Sequence, residues 1–257
     1  MAFALITGAS GGIGLSMARE LAQRKIDLLL VARSEDKLAA AKKELEAKYK
    51  IRVEFLSCDL SKPGSVSTIT DWVAKHSYSV NMLVNNAGYA VWGAVENAPW
   101  VQLSNMMQLN MITLAELCHA ILPELKKHQQ SYILNVASTA AYQAVPTLAT
   151  YAASKSFVIL FTRGLRKELK GSPVSVTCLS PGATSTSFID RAGMGVLKER
   201  AEKFSMTADE VAKIAIKGMF NKRAEVITGF VNWLSVQFTY LLPKNLIENI
   251  AAGLYKT

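Results

Sequence analysis

The sequence predicts an α/β fold of three layers, a doubly wound parallel sheet of about seven strands with helices on both faces. Three observations predict it. A short apolar run, Phe3-Ala4-Leu5-Ile6, passes through the turn Thr7-Gly8-Ala9-Ser10-Gly11-Gly12-Ile13-Gly14 into a helical pattern marked by Met17, Leu21 and Ala22. Continuous apolar runs, Asp27 to Ala32, Val80 to Val84 and Val174 to Ser180, suit strands buried on both faces of a parallel sheet. Helical patterns lie between these runs, as crossover connections require. With 257 residues, 50% of them hydrophobic, and no linker, repeat or low-complexity run, the whole chain 1–257 reads as a single domain.

The first turn is suited to a dinucleotide. Gly8, Gly12 and Gly14 let the backbone turn tightly and approach a pyrophosphate, whose charge is met by free amides around Ser10 and Ile13 and by the dipole at the helix start. The spacing departs from G-x-G-x-x-G. The second strand ends in Ala32-Arg33-Ser34, where an acidic residue would accept hydrogen bonds from an adenine ribose and an arginine accommodates a 2′-phosphate. A phosphate favours a guanidinium and repels a carboxylate, so the expected cofactor is NADP(H) rather than NAD(H). The competing reading pairs Arg33 with Glu35 or Asp36; Ser10 and Gly11 add no further basic residue to the turn.

Helix Glu35 to Tyr49 leads to strand Arg52 to Ser57 and then to Cys58-Asp59-Leu60, where Asp59 suits a turn or a helix cap. The strand Val80 to Val84 ends in Asn85-Asn86-Ala87-Gly88, whose amide side chains can tie strands together. A long helical pattern from Trp100 to Leu122 contains Asn110; Pro123 and Lys126-Lys127-His128 are expected to end it. Strand Tyr132 to Ala137 precedes Ser138, and strand Val174 to Ser180 precedes Pro181-Gly182, Thr184 and Thr186 at the carboxyl edge. Residues 187–205, mixed in charge around Gly193, suit a substrate lid, with an ordinary surface loop as the alternative. Thr207 and Glu210 form a capping box, and Ala224 to Thr228 is a seventh strand.

The chemistry concentrates in Ala149-Thr150-Tyr151-Ala152-Ala153-Ser154-Lys155. On a helix, Tyr151 and Lys155 share a face one turn apart. A tyrosine titrates near ~10, and a neighbouring ammonium stabilises the phenolate, so Lys155 tunes Tyr151 towards acid or base work. Ser138 can hold a carbonyl oxygen while Tyr151 protonates it.

Taken together, Thr7-Gly8-x-x-x-Gly12-x-Gly14, Asn85-Asn86-Ala87-Gly88, Asn110, Ser138, Tyr151, Lys155 and Pro181-Gly182 stand in the order and approximate spacing of the short-chain dehydrogenase/reductase family. The resemblance runs from Ala4 to about Thr186. It implies a Rossmann-type domain, nicotinamide-dependent oxidation or reduction, and catalytic residues Asn110, Ser138, Tyr151 and Lys155. It further implies that Asp59 and Leu60 meet the adenine and that Asn86, Ala87 and Gly88 line the cofactor. Tyr151 and Lys155 would hold the nicotinamide ribose, and Pro181, Gly182, Thr184 and Thr186 the carboxamide or pyrophosphate. Asn110 would sit at a local distortion of its helix and hold a water that links Lys155 to solvent. The expected activity is hydride transfer between NADP(H) and a carbonyl or alcohol substrate of moderate lipophilicity. A cofactor-bound scaffold or a membrane-surface protein of the same fold is the alternative. The helices from Trp100 and Thr150 resemble the family's dimer-forming pair, so a homodimer or homotetramer is expected.

Cys58, Cys118 and Cys178 lack disulfide or metal spacing and read as buried, reduced thiols of a cytoplasmic protein. His76, His119 and His128 show no ligand spacing, so no metal is expected. The N-terminus reads as a strand rather than a signal peptide. The net charge of +9 is dispersed among acids, which argues against nucleic acid. The extension 230–257 begins with the aromatic run Phe230 to Leu242, followed by an amphipathic helix capped by Asn245 and Glu248. The run could cover the substrate cleft, pack on a second subunit, lie on a bilayer, or fill one flank of the core; peripheral membrane contact is not expected.

Overall fold

The computed structural model describes residues 2–186, 188, 192–193 and 205–255. The opening strand β1 (Phe3–Thr7) has all five residues buried and lies inside the sheet, between β2 (Asp27–Ala32) and β4 (Val80–Asn85). With β3 (Val53–Ser57), β5 (Ser131–Val136), β6 (Val174–Ser180) and β9 (Glu225–Ile227), the order is β3-β2-β1-β4-β5-β6-β9 and every pairing is parallel. A sheet with this order reverses direction between β1 and β4, so the connections leave β1 and β4 on opposite faces and open a crevice at their carboxyl ends.

Side chains alternate across each strand, which divides the apolar residues between two cores. Leu5, Leu29, Leu83, Ile133 and Val176 face α3 (Ser65–Lys75), α5 (Leu114–Leu125) and α6 (Ala149–Glu168). Ile6, Leu28, Leu30, Val84 and Leu134 face α1 (Gly12–Gln23), α2 (Glu35–Tyr49) and α7 (Ala208–Phe220). Leu5, Ile6, Leu28, Leu29 and Leu30 are fully buried, and each such side chain contributes about 1.5–3 kcal/mol over an exposed one. The capping box of α7 forms as expected: the Glu210 amide donates to the Thr207 hydroxyl (3.2 Å) and the Thr207 amide to the Glu210 carboxylate (2.9 Å).

Three elements differ from the sequence reading. The helix expected over Trp100 to Leu122 is α4 (Trp100–Met107), a π-helical turn (Gln108–Thr113) and then α5. Pro123 lies inside α5, where it removes one backbone donor without ending the helix, and α5 runs on to Leu125. The last helix, α9 (Lys244–Tyr255), begins before Asn245, and the amides of Leu246 and Ile247 bond to the Pro243 carbonyl rather than to an Asn245 cap.

The aromatic helix α8 (Phe230–Leu241) does not fill a flank of the core: Val236 is its one buried residue. Cys118 and Cys178 are buried, but Cys58 is only half-buried. The short strand β7 (Thr184–Ser185) pairs with β8 (Met206–Thr207), so both ends of the expected lid are tied together; most of residues 187–205 lie outside the described residues.

Candidate active site

The turn after β1 fixes the first wall of the crevice. Gly8 has φ 67°, a left-handed conformation that a side chain disfavours. A Cβ on Gly14 would stand 2.3 Å from the Gly8 carbonyl oxygen and 2.5 Å from Asn86 Nδ2, so helix and turn approach as closely as bare backbone permits. Asn86 holds the turn from the side: its Nδ2 donates to the Thr7 and Gly8 carbonyls (3.0 and 3.3 Å). The amides of Asn86 and Ala87 both donate to the Thr7 hydroxyl at 3.0 Å. Helix α1 starts with no side-chain cap and no acid in its first turn, which leaves its amides and positive dipole end for an anion. Thr186 reaches this turn from the opposite side, its methyl 3.2 Å from where a Gly12 Cβ would be. Thr184 is buried and donates to the Gly182 carbonyl at 3.0 Å. Donors, close backbone and the lack of an acid fit a pyrophosphate, so these residues can hold a dinucleotide.

At the end of β2, Arg33 is exposed and makes no ion pair among the described residues; neither Glu35 nor Asp36 takes it up. Asp59 acts as a turn residue, its Oδ1 accepting the Ser61 amide (3.1 Å) and hydroxyl (2.8 Å). Burial pushes its carboxyl up, but these bonds and the charges of Arg33 and Lys62 outweigh it and hold the group below the usual range. Leu60 turns its side chain into the core and accepts the Thr113 hydroxyl with its carbonyl (2.8 Å), which leaves its side chain out of the crevice.

The reactive groups gather at the carboxyl ends of β4 and β5. Lys155 is 4% exposed, donates to the Val136 carbonyl at 2.8 Å, and holds its Nζ 5.9 Å from the centre of the Tyr151 ring. Both Lys155 Nζ and Asn110 Oδ1 crowd Gly88, at 3.2 and 3.0 Å from a Cβ placed there. Burial pushes the Lys155 ammonium down to about 8. At neutral pH it therefore keeps its proton and its field acts on Tyr151.

Ser138 sits two residues past the end of β5 and caps the 3₁₀ turn Thr139–Tyr142, its hydroxyl accepting the Ala140 amide at 3.1 Å. That turn is tied to α6 by Ser156, whose hydroxyl donates to the Ala141 carbonyl at 2.5 Å. Tyr151 meets the Phe188 ring at 5.8 Å within an apolar cluster that includes Met106, Val145, Leu148 and Trp92.

Asn110 is fully buried in the π turn. Its Nδ2 donates to the Tyr89 carbonyl and the Ser154 hydroxyl, both at 3.0 Å, and its Oδ1 accepts the Tyr89 amide at 3.3 Å. The sequence reading passed over Ser154, which also donates to the Tyr151 carbonyl at 2.7 Å and so links Asn110 to the helix of Tyr151 and Lys155. The signal was a small hydroxyl beside Lys155 on a buried helix face. No cluster of three metal-binding side chains exists among the described residues.

The family model described as short chain dehydrogenase matches residues 2–193. The chain belongs to the short chain dehydrogenase family. Within it, the chain is 32% identical over 188 residues to the very-long-chain 3-oxoacyl-CoA reductase-B of Danio rerio, covering 72% of this chain and 60% of that protein. The stretch shared with this relative is thus less than two thirds of its length. The A form from the same fish is 27% identical over 99% of this chain and 78% of its own. Among solved members, the short-chain dehydrogenase from Sphingobium yanoikuyae, in complex with NADPH, superposes with a TM-score of 0.83 at 28% identity, over 94% of each chain.

Proposed function

We propose that this member of the short chain dehydrogenase family is an NADP(H)-dependent oxidoreductase that reduces the carbonyl of a lipophilic substrate, such as a ketoacyl or steroid-like ketone. The observation that carries this reading is the buried Lys155 ammonium facing the Tyr151 ring beside Asn110 and Gly88. A reduced nicotinamide bound in the crevice supplies hydride to the carbonyl carbon. Ser138 donates a hydrogen bond to the substrate oxygen, and Tyr151 gives it a proton as negative charge develops there. Lys155 stabilises the resulting phenolate and binds the ribose hydroxyls, and Asn110 orients the path by which the proton is replaced. In the oxidative direction the same phenolate takes the proton back.

The glycine turn with Gly8, Gly12 and Gly14, together with Asn86, Ala87, Thr184 and Thr186, holds the dinucleotide. Arg33, which makes no ion pair among the described residues, favours a 2′-phosphate, and the NADPH in the Sphingobium yanoikuyae relative supports the same choice. The cluster of Phe188, Met106, Val145 and Leu148 around Tyr151 supports an apolar substrate, in keeping with the 3-oxoacyl-CoA reductases among the relatives. The chain acts as one domain. Exposed Trp100, Val101 and Leu160 on α4 and α6 support a homodimer through those helices. The test is NADPH absorbance followed against ketones, acyl thioesters, steroids and sugars. Turnover of an apolar ketone or thioester with little of sugars is expected, and no NADPH consumption with any of them would overturn the reading.

A further inference from the structure

Backbone bonds hold Ser138 on both sides to one short stretch of β6. The Ala137 amide donates to the Leu179 carbonyl at 2.7 Å and the Thr139 amide to the Pro181 carbonyl at 2.9 Å, so the parallel contact of β5 with β6 continues past Val136. The chain then folds into the 3₁₀ turn Thr139–Tyr142, in which the Ala141 amide donates to the Ser138 carbonyl and the Ala140 amide to the Ser138 hydroxyl, both at 3.1 Å. A serine hydroxyl that accepts in this way keeps its own proton for a second partner. The place of that hydroxyl is therefore set by the turn.

The far end of the turn comes back to the same stretch. The Tyr142 hydroxyl bonds to the Ser180 hydroxyl at 2.8 Å, and Ser180 is fully buried between the two residues that accept from Ala137 and Thr139. The Tyr142 hydroxyl also donates to Glu225 on β9. Burial and the Glu225 carboxylate push this hydroxyl well above its ordinary value, so it stays protonated, and the Ser180 hydroxyl gives its proton to the Tyr142 oxygen. Glu225 is held by its pairing opposite Cys178 and by Arg163, whose Nη1 is 3.5 Å from its second oxygen. A hydrogen bond to such a carboxylate is about twice as strong as a neutral one.

We propose that Tyr142 and Glu225 are positioning residues for Ser138: their bond, with that to Ser180, closes the turn onto β6 and fixes where the Ser138 hydroxyl stands. The inference rests on the reaction proposed above, in which that hydroxyl donates to the substrate oxygen. Both residues act through the turn. The competing account makes the pair a staple for the edge strand β9, to which Ser138 would be indifferent. Yet β9 is already held by its own backbone, in register from Cys178 opposite Glu225 to Ser180 opposite Ile227, with the Thr228 amide on the Ser180 carbonyl at 3.3 Å. Past Thr139 the turn makes no backbone hydrogen bond to β6 among the described residues, so the Tyr142 side chain is its tie there.

The experiment compares Tyr142→Phe, Glu225→Ala and Glu225→Gln with the wild-type full chain, using NADPH and the substrate of highest turnover in the panel above. Tyr142→Phe and Glu225→Ala should lower kcat about tenfold, as a misplaced group does, while NADPH titrates within about twofold of wild type. Glu225→Gln keeps an acceptor for the Tyr142 hydroxyl and should stay within about threefold. On the Ser138→Ala background, Tyr142→Phe should change kcat by less than about twofold. Amide hydrogen exchange at residues 139–141, read without any turnover, should quicken about tenfold in Tyr142→Phe. An unchanged kcat in Tyr142→Phe, or a loss that persists in full without the Ser138 hydroxyl, would overturn the proposal. So would unchanged exchange at 139–141, or faster exchange confined to 225–228, the mark of a staple for β9 alone. If the wild type consumes no NADPH with any substrate, the reaction fails by itself, and the exchange result still decides whether the pair closes the turn.

Discussion

Replacing Ser154 by alanine should cost far more than a single hydroxyl at a helix surface. Ser154 and Asn110 are both almost completely buried, and the hydroxyl accepts one of the two Asn110 amide protons at 3.0 Å. The other is committed to the Tyr89 carbonyl. In Ser154→Ala an N–H is therefore left without an acceptor where water does not reach, at a cost of about 1–3 kcal/mol. Taking about 2 kcal/mol, and about 2–4 °C per kcal/mol for a chain of this size, the melting temperature should fall by roughly 4–8 °C. The decisive comparison is a double-mutant cycle by calorimetry. With Asn110→Ala already in place the orphaned donor is gone, so Ser154→Ala should then cost less than about 1 kcal/mol, a coupling of about 1 kcal/mol or more. Costs that add within about 0.5 kcal/mol would refute the claim that Ser154 acts by holding Asn110.

Two further outcomes follow from the site. Burial lowers the Lys155 pKa from 10.5 to about 8, so between these values the unfolded chain binds more protons and stability rises with pH. Below about pH 8 the penalty is fully present; above about 10.5 it has gone. Lys155→Met should thus be more stable than the wild type at pH 7, by at most about 3 kcal/mol, and chemical denaturation across pH 7 to 10.5 should show the gap closing. A constant gap would contradict the burial argument. Arg33→Ala should weaken NADPH about tenfold or more, as loss of a charge-assisted hydrogen bond implies, and leave NADH within about twofold. Fluorescence titration of both cofactors checks this, and equal losses would remove the basis for the NADP preference.

Much of the fold was legible because its signals are local. The strands Asp27–Ala32 and Val174–Ser180 and the helix Glu35–Tyr49 have the boundaries that their apolar runs and flanking residues predict. Apolar spacing alone does not show the π turn; the family resemblance implies a local distortion at Asn110, and the π turn lies there. Around it Asn110 bonds to Tyr89 and Ser154, far away in sequence, while the apolar spacing from Trp100 to Leu122 reads as ordinary helix. Asp59 shows the same limit: its residue type suits a ligand and a turn alike, and the two Ser61 bonds appear only in the folded backbone. For helix α8 composition leaves several positions open, because apolar content speaks for burial only when another element covers it, and here Val236 alone is buried. Among the candidate catalytic groups, the Tyr151 and Lys155 pairing was readable from one helical turn, whereas the role of Ser154 required the position of Asn110.

The most direct measurement of the central claim is single-turnover reduction by Tyr151→Phe beside cofactor titration of the same protein. Phenylalanine keeps the ring packed on Phe188 and leaves Lys155 on the Val136 carbonyl, removing only the acidic hydroxyl. NADPH should bind within about threefold of wild type while the hydride-transfer rate falls by about a hundredfold or more, the range expected for loss of a general acid. A variant that binds NADPH normally and reduces the substrate at close to the wild-type rate would show that the proton comes from elsewhere.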